Sequence, residues 1–391
     1  MKIILFANTE WYLYNFRLSL AQRLRDEGHD VVLLSPPGEY GEKLRELGFR
    51  WIPVPFSTRS TNPFENLSLI RQLIRLYRHE KPDLVHHFTI KCVLYGTIAA
   101  KVIGGVKIVN AVTGLGHIFT DPGLKAKLIR PVVRAMYRFA LKGENVRVIY
   151  QNSDDRDQFV DWGLVDKDRT ALIRGSGVNV ETFTGRGTRN AENKSQVTDN
   201  GSLVTDNGSP VTILFASRLL REKGVFELLE AFQVLRQKHP RVELLIAGDL
   251  YLENPSSLTS EDVEKLKVMD GVTYLGHVDG MQPLLAESDI VVLPSYREGT
   301  PRILIEAAAM EKPIVTTDIA GCRGLVVDDK SGFLVPVKSV EHLFEAMEKL
   351  VGDPDLCERF GRRGREIVLA EFDEKIVIDK TLQVYKELDQ G

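Results

Sequence analysis

The chain has few cysteines, no long apolar run and almost no net charge. Its 391 residues include three cysteines, Cys92, Cys322 and Cys357, far apart and without a C-x-x-C spacing. That excludes a disulfide or structural-zinc framework and makes a reducing compartment the expectation. The longest apolar stretch, residues 92–109, is interrupted by Lys101 and Lys107. It falls short of the about 20 apolar residues a membrane-crossing helix needs. The opening MKIILFANTE is too short in apolar residues for a signal-peptide core and reads as a first strand. The expected location is the cytoplasm, with room for peripheral contact on the inner face of the cytoplasmic membrane. A net charge of −3 argues against a dedicated nucleic-acid binder, which is basic overall. No G-x-G-x-x-G follows a strand, which argues against a redox enzyme.

What is present is a repeated alternation of strand and helix. Ile3–Ala7, Val31–Ser35, Asp83–His87, Lys107–Ala111 and Val146–Gln151 read as strands, with helical patterns at Tyr14–Gly28 and Leu67–His79. The rhythm restarts at Val211–Ala216 and runs through Val242–Ala247, Val272–Leu275, Ile290–Pro294, Ile314–Thr317 and Gly332–Pro336. This predicts an α/β chain of two parallel-sheet domains with helices on both faces. The divisions read 1–184, 211–372 and a last helix within 373–391, free in the sequence to pack on either domain. Between the domains, 185–210 is rich in Gly, Asn, Ser and Thr. It holds a tandem heptapeptide, VTDNGSL at 197–203 and VTDNGSP at 204–210. The composition reads as a surface insertion, and its Asn-Gly steps fit a two-residue hairpin turn.

The most specific segment is SDIVVLPSYREGTPRILIEAAAM. A buried strand ends in a loop with Glu298 and Gly299, Thr300 reads as the N-cap of the next helix, and Pro301 suits its first position. Backbone N–H groups from Gly299 to Arg302 then make an anion site at the helix start. Glu298 and Glu306 are placed to accept hydrogen bonds from hydroxyls on two parts of one ligand. In ASRLLREKGVFELLEAF, Arg218 follows a strand and Lys223 opens a helix, so two cations at a strand end fit a diphosphate.

Arg218 and Lys223, followed by Glu298 and Glu306 with seven residues between, resemble the donor-site signature of glycosyltransferase family 4. YNFRLSLAQRLRDEGHDVVLLSPP, TGLGHIF and GSGVNVETF are also similar to it, so the resemblance spans nearly the whole chain. Within the family it is to bacterial capsular and lipid-linked-oligosaccharide transferases, including N-acetylgalactosaminyltransferases that use undecaprenyl-diphosphate sugars. The resemblance implies the GT-B fold: two Rossmann-like domains facing a central cleft, the C-terminal helix crossing back to the N-terminal one. It implies a retaining transfer from a nucleotide sugar, with UDP the expected nucleotide, to a lipid-linked or capsular saccharide. No cofactor and no metal are implied. Arg218 and Lys223 would bind the diphosphate, Glu306 the ribose and Glu298 the sugar hydroxyls. Gly299, Thr300 and Pro301 would approach through their backbone, and Gly248, His277 and Val278 would line the donor and base. His117, directly after a strand, would face the donor sugar. The chain departs from the family in its first loop, Asn8 to Tyr12, which replaces a Gly-Gly turn; Asn15 and Arg17 are the nearby candidates on the acceptor side. Gly324 stands where many members carry Glu.

Two D-x-D strings, Asp155–Asp157 and Asp166–Asp168, read as helix-start acids rather than metal ligands, Ser153 being the expected cap of the first. From Leu124 to Lys142, Lys127, Arg130, Arg134, Arg138 and Lys142 form a basic stripe beside Leu128, Val132, Met136 and Phe139, a pattern that fits an anionic membrane surface. Pro131 predicts a kink or a later helix start. The first 180 residues carry a net +8 and the rest −11, so a basic half would meet the anionic acceptor. Two other classes stay open on sequence: a UDP-sugar epimerase or hydrolase on a related fold, and a non-catalytic sugar-nucleotide-binding protein.

Overall fold

The computed structural model describes residues 1–58, 60, 62–114, 119, 123–185, 195–197, 203–205, 210–252 and 254–390; at 124–127, 195–197, 203–205 and 390 the description is of the backbone. The chain forms two units, Met1–Ser176 with Lys375–Gly391, and Gly177–Glu374.

The first unit is built on β1 (Lys2–Phe6), β2 (Asp30–Ser35), β3 (Arg50–Pro53), β4 (Leu84–Phe88), β5 (Lys107–Val112), β6 (Val146–Tyr150) and β7 (Thr170–Leu172). All pair in parallel in the order β3-β2-β1-β4-β5-β6-β7. Successive side chains of a strand point to opposite faces. Ile4 and Phe6 therefore join a core with Leu73, Ala99 and Tyr137, while Ile3 and Leu5 join one with Leu13, Leu20 and Leu24. That second core is closed by Val377, Leu382 and Tyr385 of the last helix, Glu374–Gln390.

Helix limits follow local caps. The helix expected from Tyr14 begins at Glu10, because the Thr9 side chain accepts the Tyr12 N–H at 3.0 Å. The helix expected from Leu67 begins at Pro63, capped by Asn62. Asn152, not Ser153, caps Ser153–Asp161: its Oδ1 accepts the Asp155 N–H at 2.8 Å, and its amide donates to Asp155 at 3.0 Å. The helix Leu124–Leu141 continues through Pro131.

The antiparallel pair β8 (Ser195–Val197) and β9 (Leu203–Thr205) spans the first heptapeptide, with five residues between the strands rather than two. The second unit carries β10 (Val211–Ala216), β11 (Val242–Ala247), β12 (Val272–Gly276), β13 (Ile290–Leu293), β14 (Ile314–Thr317) and β15 (Gly332–Val335). These are parallel in the order β12-β11-β10-β13-β14-β15. One core gathers Ile213, Phe232, Leu304, Met347 and Val368. Residues 177–184 fall in this unit, not with the N-terminal domain: Val178 donates to the Phe372 carbonyl, and Glu374 donates back to Val178, both at 3.0 Å. The cysteines are free thiols, and burial pushes Cys322 and Cys357 up to about 12.

Candidate active site

In the second sheet the strand order reverses between β10 and β13, and open parallel sheets bind ligands at the carboxyl edge of such a point. The segments leaving that edge carry the sequence-predicted donor residues. Arg218 and Lys223 follow β10, Gly248 follows β11, His277 and Val278 follow β12, and Glu298 to Pro301 follow β13. Glu306 lies in the next helix, Arg302–Ala309.

Two glycines let these segments lie against one another. Gly224 has φ +73°, and a Cβ there would stand 2.2 Å from the Pro294 carbonyl oxygen. Gly248 has φ +139°, and a Cβ would stand 1.8 Å from the Ser217 carbonyl oxygen. Only a residue without Cβ fits either place. The short turn Arg221–Lys223 is thereby pressed onto the loop after β13, where Tyr296 N–H donates to the Glu222 carbonyl at 2.8 Å.

Lys223 and Arg302 are paired with carboxylates at this edge. Lys223 Nζ bonds Glu298 Oε1, with side chains only 12% and 13% exposed. The Ser295 hydroxyl donates to the same oxygen at 2.8 Å. Arg302 Nε donates to Glu306 Oε1 at 2.7 Å. Glu306 is buried, and that burial raises its carboxyl above the ordinary range against the pull of Arg302. Arg218 is exposed, its guanidinium 5.1 Å from the centre of the Tyr251 ring. His277 is exposed with Nε2 3.2 Å from Asp279 Oδ1, and Val278 packs partly into the core.

Thr300 is not the N-cap of the helix after β13. Pro301 takes that place with extended backbone (φ −74°, ψ 116°), its carbonyl accepting the Leu304 N–H at 3.1 Å, and no side chain caps the end. A proline carbonyl can start the ladder as well as any other, and its ring offers no hydroxyl to the first turn. The loop is backed by the short helix Ala320–Arg323, where a Cβ on Gly321 would lie 2.4 Å from the carbonyl oxygens of Glu298 and Gly299. Thr317 Oγ1 donates to the Ser295 carbonyl.

Sequence spacing did not single out Tyr296, Glu227, Tyr251 or Ser295. Tyr296 and Ser295 sit inside the quoted motif, but nothing in that motif signals that the Tyr296 hydroxyl reaches Glu227.

Residues 204–367 match the family described as glycosyl transferases group 1, and residues 2–153 match glycosyl transferase 4-like proteins. The chain belongs to glycosyltransferase family 4. Among its relatives is the N,N'-diacetylbacillosaminyl-diphospho-undecaprenol alpha-1,3-N-acetylgalactosaminyltransferase of Campylobacter jejuni, 29% identical over 98% of both chains. Another is the capsular polysaccharide biosynthesis glycosyltransferase CapM of Staphylococcus aureus, 26% identical over 93% of this chain and 91% of that one. Anabaena HepE, solved with UDP and glucose, shares the fold at TM-score 0.75 and 18% identity, over 98% of this chain and 99% of that one. The fold class is the GT-B pairing of Rossmann-like units.

The first unit of this family-4 glycosyltransferase treats its predicted residues differently. His117 lies outside the described residues, as does the side chain of Lys127. Asn15 donates to the Trp11 carbonyl at 3.0 Å. Arg17 is buried, its guanidinium 4.4 Å from the Phe88 ring centre and donating to the Tyr12 hydroxyl at 2.9 Å, so it faces inward rather than toward solvent. Arg130 and Arg134 line, with Pro131, Ala135 and Arg138, a surface groove of about 420 Å³. Arg134 stacks on Trp162 at 4.5 Å. Leu128, Val132 and Phe139 of the same helix are 78%, 60% and 53% exposed. Among the described residues no helix is long and apolar enough to cross a membrane, and no group of three or more His, Cys, Asp or Glu gathers.

Proposed function

We propose that this glycosyltransferase is a retaining enzyme that moves a hexosyl or N-acetylhexosaminyl group from a UDP-sugar to a lipid-linked saccharide. The observation that carries this reading is the set of charges at the β10/β13 edge: Arg218, Lys223 and an uncapped helix start beside Glu298 and Glu306. A diphosphate brings negative charge to that edge. Lys223 exchanges Glu298 for a phosphate oxygen, and Glu298 is released to accept hydroxyl protons of the sugar. As the bond from the sugar carbon to the diphosphate oxygen breaks, Arg218, Lys223 and the helix N–H groups hold the charge that develops on the leaving group. An acceptor hydroxyl then bonds the sugar carbon on the face the diphosphate leaves, and its proton passes to the departing diphosphate oxygen. With cations of the chain in that role, transfer proceeds without a metal ion and survives a chelator.

On the acceptor side, the Arg130/Arg134 groove with its exposed Leu128, Val132 and Phe139 supports contact with an anionic, lipid-anchored substrate at the membrane surface. Relatives named for diphospho-undecaprenol acceptors support the same chemistry. The test is incubation with a panel of UDP-sugars and undecaprenyl-diphosphate saccharides, read by mass spectrometry. A product heavier by one sugar is expected. Release of free sugar or an epimer with every acceptor absent overturns the reading.

A further inference from the structure

Tyr296 is tied at two points to the segment that carries Lys223. Its backbone N–H donates to the Glu222 carbonyl at 2.8 Å, and its hydroxyl donates to Glu227 Oε1 in the helix Val225–Lys238. Two residues further along the loop, Glu298 takes Lys223 and the Ser295 hydroxyl. Among the described residues the second carboxylate oxygen of Glu227 is buried without a partner, and the phenol is the donor that reaches this carboxylate. A hydrogen bond to a buried carboxylate is stronger than a neutral one. Lys338 Nζ stands 4.8 Å from the centre of the Tyr296 ring, a contact that needs the ring and not the hydroxyl.

We propose that Tyr296 and Glu227 are positioning residues: their hydrogen bond holds the loop bearing Glu298 against the segment bearing Lys223 and so fixes the charged pair toward the donor. The Thr317 hydroxyl and the Ala320–Arg323 helix also brace this loop. Of the two ties that Tyr296 makes to the Lys223 segment, the backbone bond holds the main chain, and the hydroxyl, reaching the next helix, adds a second point of attachment. Displacement of about 1 Å at such a site costs up to about 100-fold in rate. The role is expressed through the transferase reading above, but the restraint itself is a property of the unliganded chain.

The test compares Tyr296→Phe, which keeps the ring under Lys338, with Glu227→Gln, which keeps an acceptor oxygen, and with the double variant. Two readouts are taken on the full chain: amide hydrogen exchange of residues 295–301 without ligand, and the split of KM and kcat for the UDP-sugar that supports transfer. Tyr296→Phe is expected to speed exchange in that segment about tenfold and to raise donor KM about tenfold, with acceptor KM unchanged. Glu227→Gln is expected to retain most of both, and the double variant to be no worse than Tyr296→Phe. Unchanged exchange in 295–301, or equal changes across the whole second unit, overturns the proposal. If no donor supports transfer but the local exchange rises as described, the restraint stands and the reaction assignment fails.

Discussion

The two units share a sheet order through six strands, yet their switch points are furnished in opposite ways. Beyond β10 and β13 the charges lie in pairs that a ligand can exchange: Lys223 with Glu298, Arg302 with Glu306. Behind β1 and β4, Arg17 is folded under Tyr12 and Phe88, and His86 is buried with Nδ1 2.6 Å from the Tyr385 hydroxyl of the last helix. One unit pairs its cations with carboxylates at the carboxyl edge of its sheet. The other buries its cation against its own aromatic rings and bonds an imidazole to its C-terminal helix. Topology fixes where a site can be, and side chains decide whether it is one.

The contrast can be broken at its strongest point first. Lys223→Ala is expected to cut transfer by about 100- to 1000-fold, the cost of losing one group that stabilises a leaving charge. Thermal melting should be little altered. Glu306→Gln should lose transfer as well, while Arg17→Met should leave turnover near normal. Full activity in both Lys223→Ala and Glu306→Gln would remove the basis for the donor assignment.

The next effect belongs to the first unit. Burial, with Arg17 beside His86, holds the His86 pKa well below its ordinary value, and burial lowers His87 to about 4. Both imidazoles are neutral when folded and take up a proton more readily when unfolded. Their stabilisation is complete above about pH 6.5 and is lost as pH falls toward the folded values, by an amount on the order of 3 kcal/mol for His87. Melting curves from pH 8 to pH 4 should show it, and His87→Gln should flatten them.

Smaller is the glycine comparison. Gly28 has φ +84° and open space around it, so Gly28→Ala should cost only the conformational strain of about 1 kcal/mol. Gly224→Ala adds the collision with the Pro294 carbonyl and should cost several times more, measured by chemical denaturation. Smallest is Tyr251→Ala: loss of the ring under Arg218 should raise donor KM about two- to fivefold.

Much of the architecture was legible because fully buried strands such as IILF and TILF are continuous apolar runs with turn signals between them. The short edge strands β3 and β7 were not, since RWIP and TAL carry too little pattern. Helix starts at Glu10 and Pro63 were missed because a polar cap, not an apolar residue, sets them. At the site, residue types and their places along the chain were readable: Arg218, Lys223 and Glu298 lie in segments leaving that edge, and Glu306 in the helix that follows. Their partners were not. Lys223 and Glu298 are 75 residues apart, and Tyr296 and Glu227 are 69 apart, so only the fold brings them together. The inward turn of Arg17 was equally invisible, since a helix-face arginine is usually at the surface.

The last helix has a consequence in time. The first unit spans Met1–Ser176 but is closed only by Lys375–Gly391. During synthesis its sheet face waits for roughly 200 further residues, some 10–40 s at 5–20 residues per second. Throughout that interval Leu5, Leu20 and Phe88 lack the Val377, Leu382 and Tyr385 that cover them in the finished chain. Of the two units the one that emerges first is the last to be completed, and its apolar face stays open to misassembly until the last helix is made.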